Sequence, residues 1–295
     1  MSLIESALEK MRRSANAPER RGARTGLRPE RAGAPDSQAA PAHLTAPKRR
    51  MTLDPEALRA AGYLPEPARD RVFADQYRQI KRPLIQKAVA DPGAPQMRLV
   101  LVTSALQGDG KTFTSINLAL SLARERDTSV LLVDADLRNP NTSRSLGLGG
   151  EPGLLEALRD ETVDVSSLIL HSSVPGLDIL PAGMAADQAS ELLASARMTQ
   201  LVAQICSNPR YIVLFDSAPM LLSADSSALA RLVGQVVLVA RAGKTQRHAL
   251  LDAIGQLDRD KLSGIVLNDI KAEPGRYHYG YGTYGTQDRD GAIPG

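Results

Sequence analysis

The stretch RLVLVTSALQGDGKTFTSINLAL, residues 98–120, decides the fold. It begins with an apolar, β-branched run typical of a buried strand, passes through a turn that contains two glycines, and continues as a helical sequence. Glycines let backbone N–H groups curl around an anion, and the N-terminus of the following helix adds the positive end of its dipole. A strand, such a turn and a helix in this order predict a phosphate-binding loop.

The turn contains the residue types that hold a nucleoside triphosphate. Lys111 is expected to reach the β- and γ-phosphates, and the Thr112 hydroxyl to ligate Mg²⁺. The usual pattern G-x-x-x-x-G-K-[ST] has glycine where this chain has Ala105, a mild departure. We therefore predict ATP and Mg²⁺ as cofactors. The predicted nucleotide-binding residues of the turn are Gly108, Asp109, Gly110, Lys111, Thr112 and Phe113.

Apolar runs like the one at 98–104 recur along the chain with helical stretches between them. They occupy residues 129–135, 177–183, 211–217, 235–241 and 264–269, and a helix is predicted at 70–88. Continuous apolar strands that alternate with helices predict a mostly parallel sheet with helices on both faces. The fold class expected is therefore α/β, a doubly wound P-loop NTPase.

Polar residues follow three of these runs, at the strand edge where open parallel sheets bind ligands. Asp134 and Asp136 flank one residue, so their carboxylates could bind a metal ion or act as a base beside one. Arg138, two residues further on, could stabilise the negative charge of a phosphate. Asp216 ends another run and is placed to hold Mg²⁺ or its water. Asn268 could read a base edge through its amide, although a plain strand-terminal turn explains it as well.

The two ends of the chain differ from the centre in composition. Residues 1–50 carry eleven Lys/Arg against five Asp/Glu, and 14–47 are rich in Ala, Pro, Arg and Gly. We predict a short amphipathic helix at 2–13 and a disordered basic arm up to residue 67, a linker or a contact to an acidic surface. A P-loop domain is expected at 68–275 and a flexible tyrosine-rich tail at 276–295.

The composition also excludes several classes of protein. The chain has one cysteine, Cys206, so it forms no intrachain disulfide and lacks the thiolates of an iron–sulfur ATPase. No apolar stretch is long enough to span a membrane, and the N-terminus does not read as a secretory signal. These features predict a cytoplasmic protein, and no nucleic-acid partner is expected.

Together, ALQGDGKT (105–112), VLLVDADLRNP (130–140), IVLFDSAP (212–219) and the tail resemble the bacterial tyrosine kinases. The resemblance covers roughly residues 70–285, and it is closest to the tyrosine autokinases of exopolysaccharide/PEP-CTERM loci. The family shares a MinD/ParA-like fold and transfers phosphate from ATP to protein tyrosine. The chain is thus expected to phosphorylate its own tail in trans and to regulate exopolysaccharide biosynthesis and export.

The resemblance also implies roles for single residues. The catalytic residues would be Lys111, Asp134, Asp136 and Asp216, and the metal ligands Thr112, Asp134 and Asp216. Asp134 would also activate the tyrosine hydroxyl, Arg138 would belong to the nucleotide site, and Asn268 would contact adenine. The phosphate acceptors would be Tyr277, Tyr279, Tyr281 and Tyr284, four of the seven tyrosines in the chain.

Partners follow from the same resemblance. Asp75, Arg78 and Lys81 have the spacing of the family's oligomerisation motif Glu-x-x-Arg-x-x-Arg, which implies a homo-oligomer, with a ring as one form of it. This spacing also suits an ordinary solvated helix face. A separate inner-membrane activator of the polysaccharide co-polymerase type would hold the kinase at the inner face of the cytoplasmic membrane. A cognate tyrosine phosphatase is also expected.

Two alternatives belong to other classes. A MinD/ParA-type ATPase would act as a positioning switch without phosphorylating protein, but it carries an extra lysine early in the loop, where this chain has Leu106. A regulatory scaffold without catalysis would not need the lysine and acids that are present. Detection of phosphotyrosine after incubation with Mg·ATP distinguishes these alternatives from a kinase.

Overall fold

The structure is a computed structural model that describes residues 49–126, 128–184 and 189–270. The predictions for the helix at 2–13, for the arm up to residue 48 and for the four tail tyrosines lie outside the described residues. The same holds for the domain boundary predicted at residue 275.

The described residues form an eight-stranded sheet in the order β1-β4-β5-β3-β6-β2-β7-β8. All neighbouring strands are parallel except β4 and β5, which are antiparallel. The strands are Arg50–Met51 (β1), Leu99–Ser104 (β2), Ser129–Asp134 (β3), Leu170–Ser172 (β4), Leu177–Leu180 (β5), Tyr211–Asp216 (β6), Gln235–Arg241 (β7) and Leu262–Asn268 (β8). The predicted doubly wound, mostly parallel sheet is thus confirmed.

One or two helices lie between most successive strands of the described chain, and β4 leads to β5 without a helix. They are Pro55–Ala60 (α1), Asp70–Ala90 (α2), Lys111–Leu122 (α3), Asn141–Ser145 (α4), Leu154–Arg159 (α5), Ala189–Leu193 (α6), Ala196–Cys206 (α7), Ala224–Leu232 (α8) and Arg247–Gly255 (α9). Short 3₁₀ turns occupy Pro67–Arg69, Pro95–Arg98, Val165–Leu168 and Arg259–Lys261. Within the described ranges, no helix is both long and apolar enough to cross a membrane.

The central strands β2, β3, β6 and β7 are buried on both faces, which explains why they are continuously apolar, whereas the edge strand β8 is half-buried or exposed along its length. In β2, Leu99 and Leu101 belong to one hydrophobic cluster, and Val100 and Val102 belong to the other. Side chains of a strand alternate between the two faces, so each strand needs apolar residues at successive positions. With few aromatic residues in the chain, both clusters are almost entirely aliphatic.

All six predicted strands are present, but two short strands escaped prediction. β1 has two residues and β4 has three, of which only Leu170 is fully buried, so neither shows an apolar run. β5 ends at Leu180 rather than at the predicted residue 183. The next residue is Pro181, which has no N–H to donate to a ladder.

The packed body begins earlier than residue 68, where the sequence placed its boundary. β1 pairs with β4, and Leu53 and Leu58 are buried in the same cluster as residues of α2 and α3. Asp54 caps α1 by accepting hydrogen bonds from two backbone N–H groups. Hydrogen bonds add to this packing, because the Leu53 N–H donates to the Ser173 hydroxyl and the Asn117 amide donates to the Tyr63 carbonyl oxygen.

The predicted oligomerisation row on α2 is only partly on the surface. Asp75 and Arg78 are exposed and form an ion pair with each other at 2.7 Å. Lys81 is instead 6% exposed, and its Nζ contacts the Ser121 carbonyl oxygen and Glu125 Oε1, each at 2.7 Å. Lys81 thus ties α2 to the end of α3 and is not part of an exposed charged row, which corrects the sequence-based expectation.

Burial of α2 predicts how substitutions in it change stability. Leu84 is 1% exposed, so Leu84→Ala should lower the free energy of unfolding by about 2–5 kcal/mol through lost burial and a cavity. Val89 on the same helix is 68% exposed, and Val89→Ala should change the free energy of unfolding by less than about 0.5 kcal/mol. Urea denaturation checks both values, and similar losses for the two variants would contradict this packing of α2.

Candidate functional site

The site lies at the carboxyl edge of three adjacent strands, β3, β6 and β2. Asp134 is the last residue of β3, Asp216 is the last residue of β6, and the glycine-containing loop follows β2. The strand register places Asp134 opposite Asp216. Residues that are far apart in the sequence thus meet because parallel strands end at the same edge of the sheet.

The loop has the backbone conformation that its glycines predict. Gly108 and Gly110 have φ values of 86° and 96°, in the left-handed region, and Gly110 directly precedes the first turn of α3. A Cβ on Gly110 would lie 1.9 Å from Asn268 Nδ2, so a side chain has no room there. The Asn268 amide donates to the Asp109 carbonyl oxygen at 3.1 Å and so braces the loop from β8.

Asp109 was predicted to bind the nucleotide, but its described contacts stabilise the loop itself. Its carboxylate accepts a hydrogen bond from the Leu106 backbone N–H at 3.0 Å and from the Thr245 hydroxyl at 2.6 Å. Arg241 adds a bond from Nη1 to the Gly108 carbonyl oxygen at 3.3 Å. Nothing in the sequence around Arg241 or Thr245 indicated these contacts.

The predicted lysine, threonine and acids come together behind the loop. Lys111 Nζ lies 2.9 Å from Asp136 Oδ2, and the Thr112 hydroxyl donates to Asp216 Oδ2 at 2.8 Å. Lys111 is 7% exposed, and Asp134 and Asp216 are fully buried. The structure therefore assembles the residues predicted for catalysis and metal binding in one buried cluster.

Three residues of this cluster were not predicted from the sequence: Ser115, Thr142 and Ser143. The Ser115 hydroxyl donates to Asp216 Oδ1 at 3.1 Å, and the Thr142 hydroxyl donates to Asp216 Oδ2 at 2.7 Å. Ser143 donates to Asp134 through its hydroxyl and its backbone N–H. The available signal was the pair of hydroxyl residues in NPNTSRS, directly after the paired acids.

Burial and neighbouring charges shift the pKa values of the cluster. Burial, and then the charge of nearby Asp216, raises the pKa of Asp134 to about 7. Burial also raises the pKa of Asp216 above its usual range, although Lys111 opposes that shift. Burial alone would lower the pKa of Lys111, but the carboxylates of Asp216 and Asp136 outweigh it and raise that pKa.

The donor set fits Mg²⁺. The Thr112 hydroxyl and the carboxylates of Asp134 and Asp216 are oxygen donors, which hard divalent cations prefer. Among the described residues, no group of three or more His, Cys, Asp or Glu side chains could hold a metal ion. Mg²⁺ is commonly held by one or two carboxylates together with substrate phosphates and water.

A groove of about 760 Å³ opens beside the loop, between α2 and β8. Gly110, Phe113 and Asn268 line its loop side, and Phe73 of α2 packs edge-on against the Phe113 ring at 6.0 Å. The groove combines apolar rings with the Asn268 amide, as a site for a planar base requires.

Arg138 lies away from the buried acids. Its Nε is 3.6 Å from Asp225 Oδ2, and its Nη2 donates to the Ser190 hydroxyl. Its side chain is mostly exposed, whereas Asp225 is buried at the start of α8. In this structure Arg138 therefore links the loop after β3 to α8 and α6. Its role in nucleotide binding stays a prediction.

Comparison with known proteins is decisive for the family. Residues 97–251 match the family described as AAA domain. The tyrosine-protein kinase YwqD of Bacillus subtilis (strain 168) is 35% identical over 217 residues, which cover 73% of this chain and 87% of YwqD. The chain belongs to the bacterial tyrosine kinase family. Tyrosine-protein kinase CpsD of Streptococcus agalactiae is 31% identical to this kinase over 194 residues, 65% of this chain and 83% of CpsD.

Solved kinase domains have the same fold. The VpsO kinase domain superposes with a TM-score of 0.58 at 31% identity, over 70% of this kinase and 100% of that domain. The kinase domain of Escherichia coli tyrosine kinase ETK superposes with a TM-score of 0.60 at 29% identity, over 70% of this kinase and 80% of that chain. Some relatives are longer, and the kinase spans 26% of tyrosine-protein kinase wzc of Salmonella typhi.

The raised pKa of Asp134 predicts a pH-dependent stability without nucleotide. Near pH 4 the unfolded carboxyl begins to lose its proton while the folded one keeps it until about pH 7, so rising pH favours unfolding across this window. Asp134→Asn cannot ionise, so it lacks this loss of stability. The free energy of unfolding of Asp134→Asn minus that of wild type should therefore be on the order of 2 kcal/mol larger at pH 8 than at pH 5.

Urea denaturation at the two pH values measures this difference between Asp134→Asn and the wild type. Asp252→Asn, at an exposed position of α9, is the matched control and should change stability little at either pH. An equal gain for Asp134→Asn at both values would contradict a titration of Asp134 in this window.

Proposed function

We propose that this kinase transfers the γ-phosphoryl group of ATP to tyrosine hydroxyls in the tail of a second copy of the chain. One observation carries the proposal. Lys111, Thr112, Asp134, Asp136 and Asp216, from three separate segments, form one buried cluster directly behind a glycine loop that can cradle phosphates. The family membership agrees with this chemistry.

The proposed roles follow from the geometry. The loop N–H groups and the Lys111 ammonium hold the phosphate oxygens and stabilise the charge that develops during transfer. Mg²⁺, held by Thr112, Asp216 and Asp134, would neutralise phosphate charge. Asp134, at the end of β3 opposite Asp216, accepts the proton of the tyrosine hydroxyl as the tyrosine oxygen bonds to phosphorus and ADP leaves. Asp136 keeps Lys111 oriented through their 2.9 Å ion pair.

The groove beside the loop is the proposed site of the adenosine. Phe113 supplies an apolar surface for the base, and Asn268 supplies an amide that can pair with its edge. The amide already donates to the Asp109 carbonyl oxygen, so its position is fixed before a nucleotide arrives. Preorganisation of this kind reduces the entropy lost on binding.

The proposed acceptors are Tyr277, Tyr279, Tyr281 and Tyr284. They begin seven residues after Ile270, and a tether this short favours the site of a neighbouring subunit over the site of the same chain. We therefore propose a homo-oligomer in which Asp75 and Arg78 remain candidate contacts, because both are exposed.

We also propose a cellular role, supported by the likeness to exopolysaccharide-locus autokinases. The kinase would act in the cytoplasm, at the inner face of the membrane, held by a separate co-polymerase-type activator. It would regulate exopolysaccharide synthesis and export, and a tyrosine phosphatase would reset it. The alternative of a MinD/ParA-type switch is disfavoured because relatives such as YwqD and CpsD are tyrosine kinases and because Leu106 replaces that class's extra lysine.

Lys111→Met tests the chemistry. The substitution removes the charge that faces the phosphates, so the rate of tyrosine phosphorylation should fall at least about a hundred-fold. Lys244→Met, at an exposed position, is the control and should retain the wild-type rate. Phosphotyrosine is quantified by mass spectrometry after incubation with Mg·ATP, and an undiminished rate in folded Lys111→Met protein would refute the assignment.

A mixing experiment tests transfer between subunits. Active protein truncated after Gly275 has a site but no acceptor tail, and full-length Lys111→Met protein has a tail but an inactive site. Mixing them should label the Lys111→Met chain, whereas neither protein alone should be labelled. Absence of label in a mixture shown to associate, alongside normal labelling of wild type, would refute transfer in trans.

A further inference from the structure

The short helix α4 contacts both buried acids through two adjacent residues. The Thr142 hydroxyl donates to Asp216 Oδ2 at 2.7 Å. The Ser143 backbone N–H and hydroxyl both donate to Asp134 Oδ2, each at 2.7 Å. We infer that Thr142 and Ser143 are positioning residues that orient the two acids for Mg²⁺ and for the reaction, an inference that rests on the proposed function.

These contacts differ from what hydroxyl residues in helices usually make. Ser145, in the same helix, donates to the Asn141 carbonyl oxygen four residues earlier, which is the common local bond. Thr142 and Ser143 instead reach across to the ends of β6 and β3. Both are almost completely buried, so their hydroxyls have these acids as partners in place of water.

Thr142 completes the set of hydroxyls around Asp216. Thr112 and Ser115 also donate to this carboxylate, at 2.8 Å and 3.1 Å, but both belong to α3. Thr142 is the donor from a different element, and its hydroxyl shares the oxygen that Thr112 contacts. A carboxylate held from two elements cannot rotate with either of them, so the direction of its lone pairs is fixed.

Ser143 connects Asp134 to a further part of the structure. Its hydroxyl oxygen accepts a hydrogen bond from the Ala182 N–H at 3.0 Å while its proton goes to Asp134. The Ala182 carbonyl oxygen in turn accepts from the Leu155 N–H at 2.9 Å, at the start of α5. The orientation of the Ser143 hydroxyl is thus determined on both sides, which fixes the Asp134 carboxylate beside Asp216.

Calorimetric titration of ADP at a series of Mg²⁺ concentrations tests the inference without relying on kinase activity. Thr142→Val removes the hydroxyl at nearly constant volume and should raise the Mg²⁺ concentration for half-maximal ADP binding about ten-fold. Thr142→Ser keeps the hydroxyl and should stay within about two-fold of wild type. Thr142→Ala provides a smaller replacement if the valine variant does not fold.

Ser143→Ala should shift the same Mg²⁺ concentration less, about three-fold, because the backbone N–H of residue 143 still donates to Asp134. It should also lower kcat for tyrosine phosphorylation more than it changes KM for ATP. Ser226→Ala is the matched control, because it removes a buried hydroxyl whose described partners are the Ala218 carbonyl oxygen and the Ser217 hydroxyl rather than an acid. Its Mg²⁺ dependence should equal that of wild type.

The outcomes separate this inference from the proposed function. Wild-type protein that binds ADP with Mg²⁺ but phosphorylates no tyrosine would refute the kinase proposal, and the titrations would still decide the positioning role. A Thr142→Val protein that keeps the Mg²⁺ dependence of Ser226→Ala would overturn the inference. A Thr142→Ser loss equal to that of Thr142→Val, or wild-type ADP binding without any Mg²⁺ dependence, would overturn it as well.

Discussion

Two buried carboxylates at neighbouring strand ends are the constraint on which the rest of the site depends. Asp134 and Asp216 are opposite each other in the register of β3 and β6, and neither reaches water. Burial disfavours the charge of both, and the charge of Asp216 adds to this at Asp134, so donors and a cation from the fold offset the cost. Hydroxyls from α3 and α4 and the ammonium of Lys111 meet that requirement.

This constraint explains how polar and apolar parts are divided in the sheet. The strands are apolar on both faces as far as their carboxyl ends, where the acids begin. The aliphatic clusters make the sheet rigid and stable, and that stability tolerates an electrostatically costly cluster at one edge. The acids therefore stay fixed and desolvated before a ligand is present, the arrangement that electrostatic catalysis requires.

The glycine loop depends on similar support from distant residues. Asp109 joins Leu106 to Thr245, and Asn268 braces the loop from the edge strand. The backbone donors of the loop keep their direction because these contacts hold it against β7 and β8. Asp109, one of the loop residues predicted to bind the nucleotide, is thus a structural support in the described contacts, and the N–H groups that it positions are the proposed anion-binding groups.

The sequence by itself determined the six longer strands of the sheet, the glycine loop and the identity of the lysine and acids. These features depend on local order: an apolar run, then glycines, then Lys111 and Thr112, with Asp134 and Asp216 at strand ends. Only the tertiary structure decided the partners of those residues. Thr142 and Ser143 contact the acids because α4 crosses two strand ends, and no local pattern encodes that crossing. Lys81 has the spacing of a surface row, yet packing of α2 against α3 buries it, because burial depends on what a helix face meets and not on its spacing.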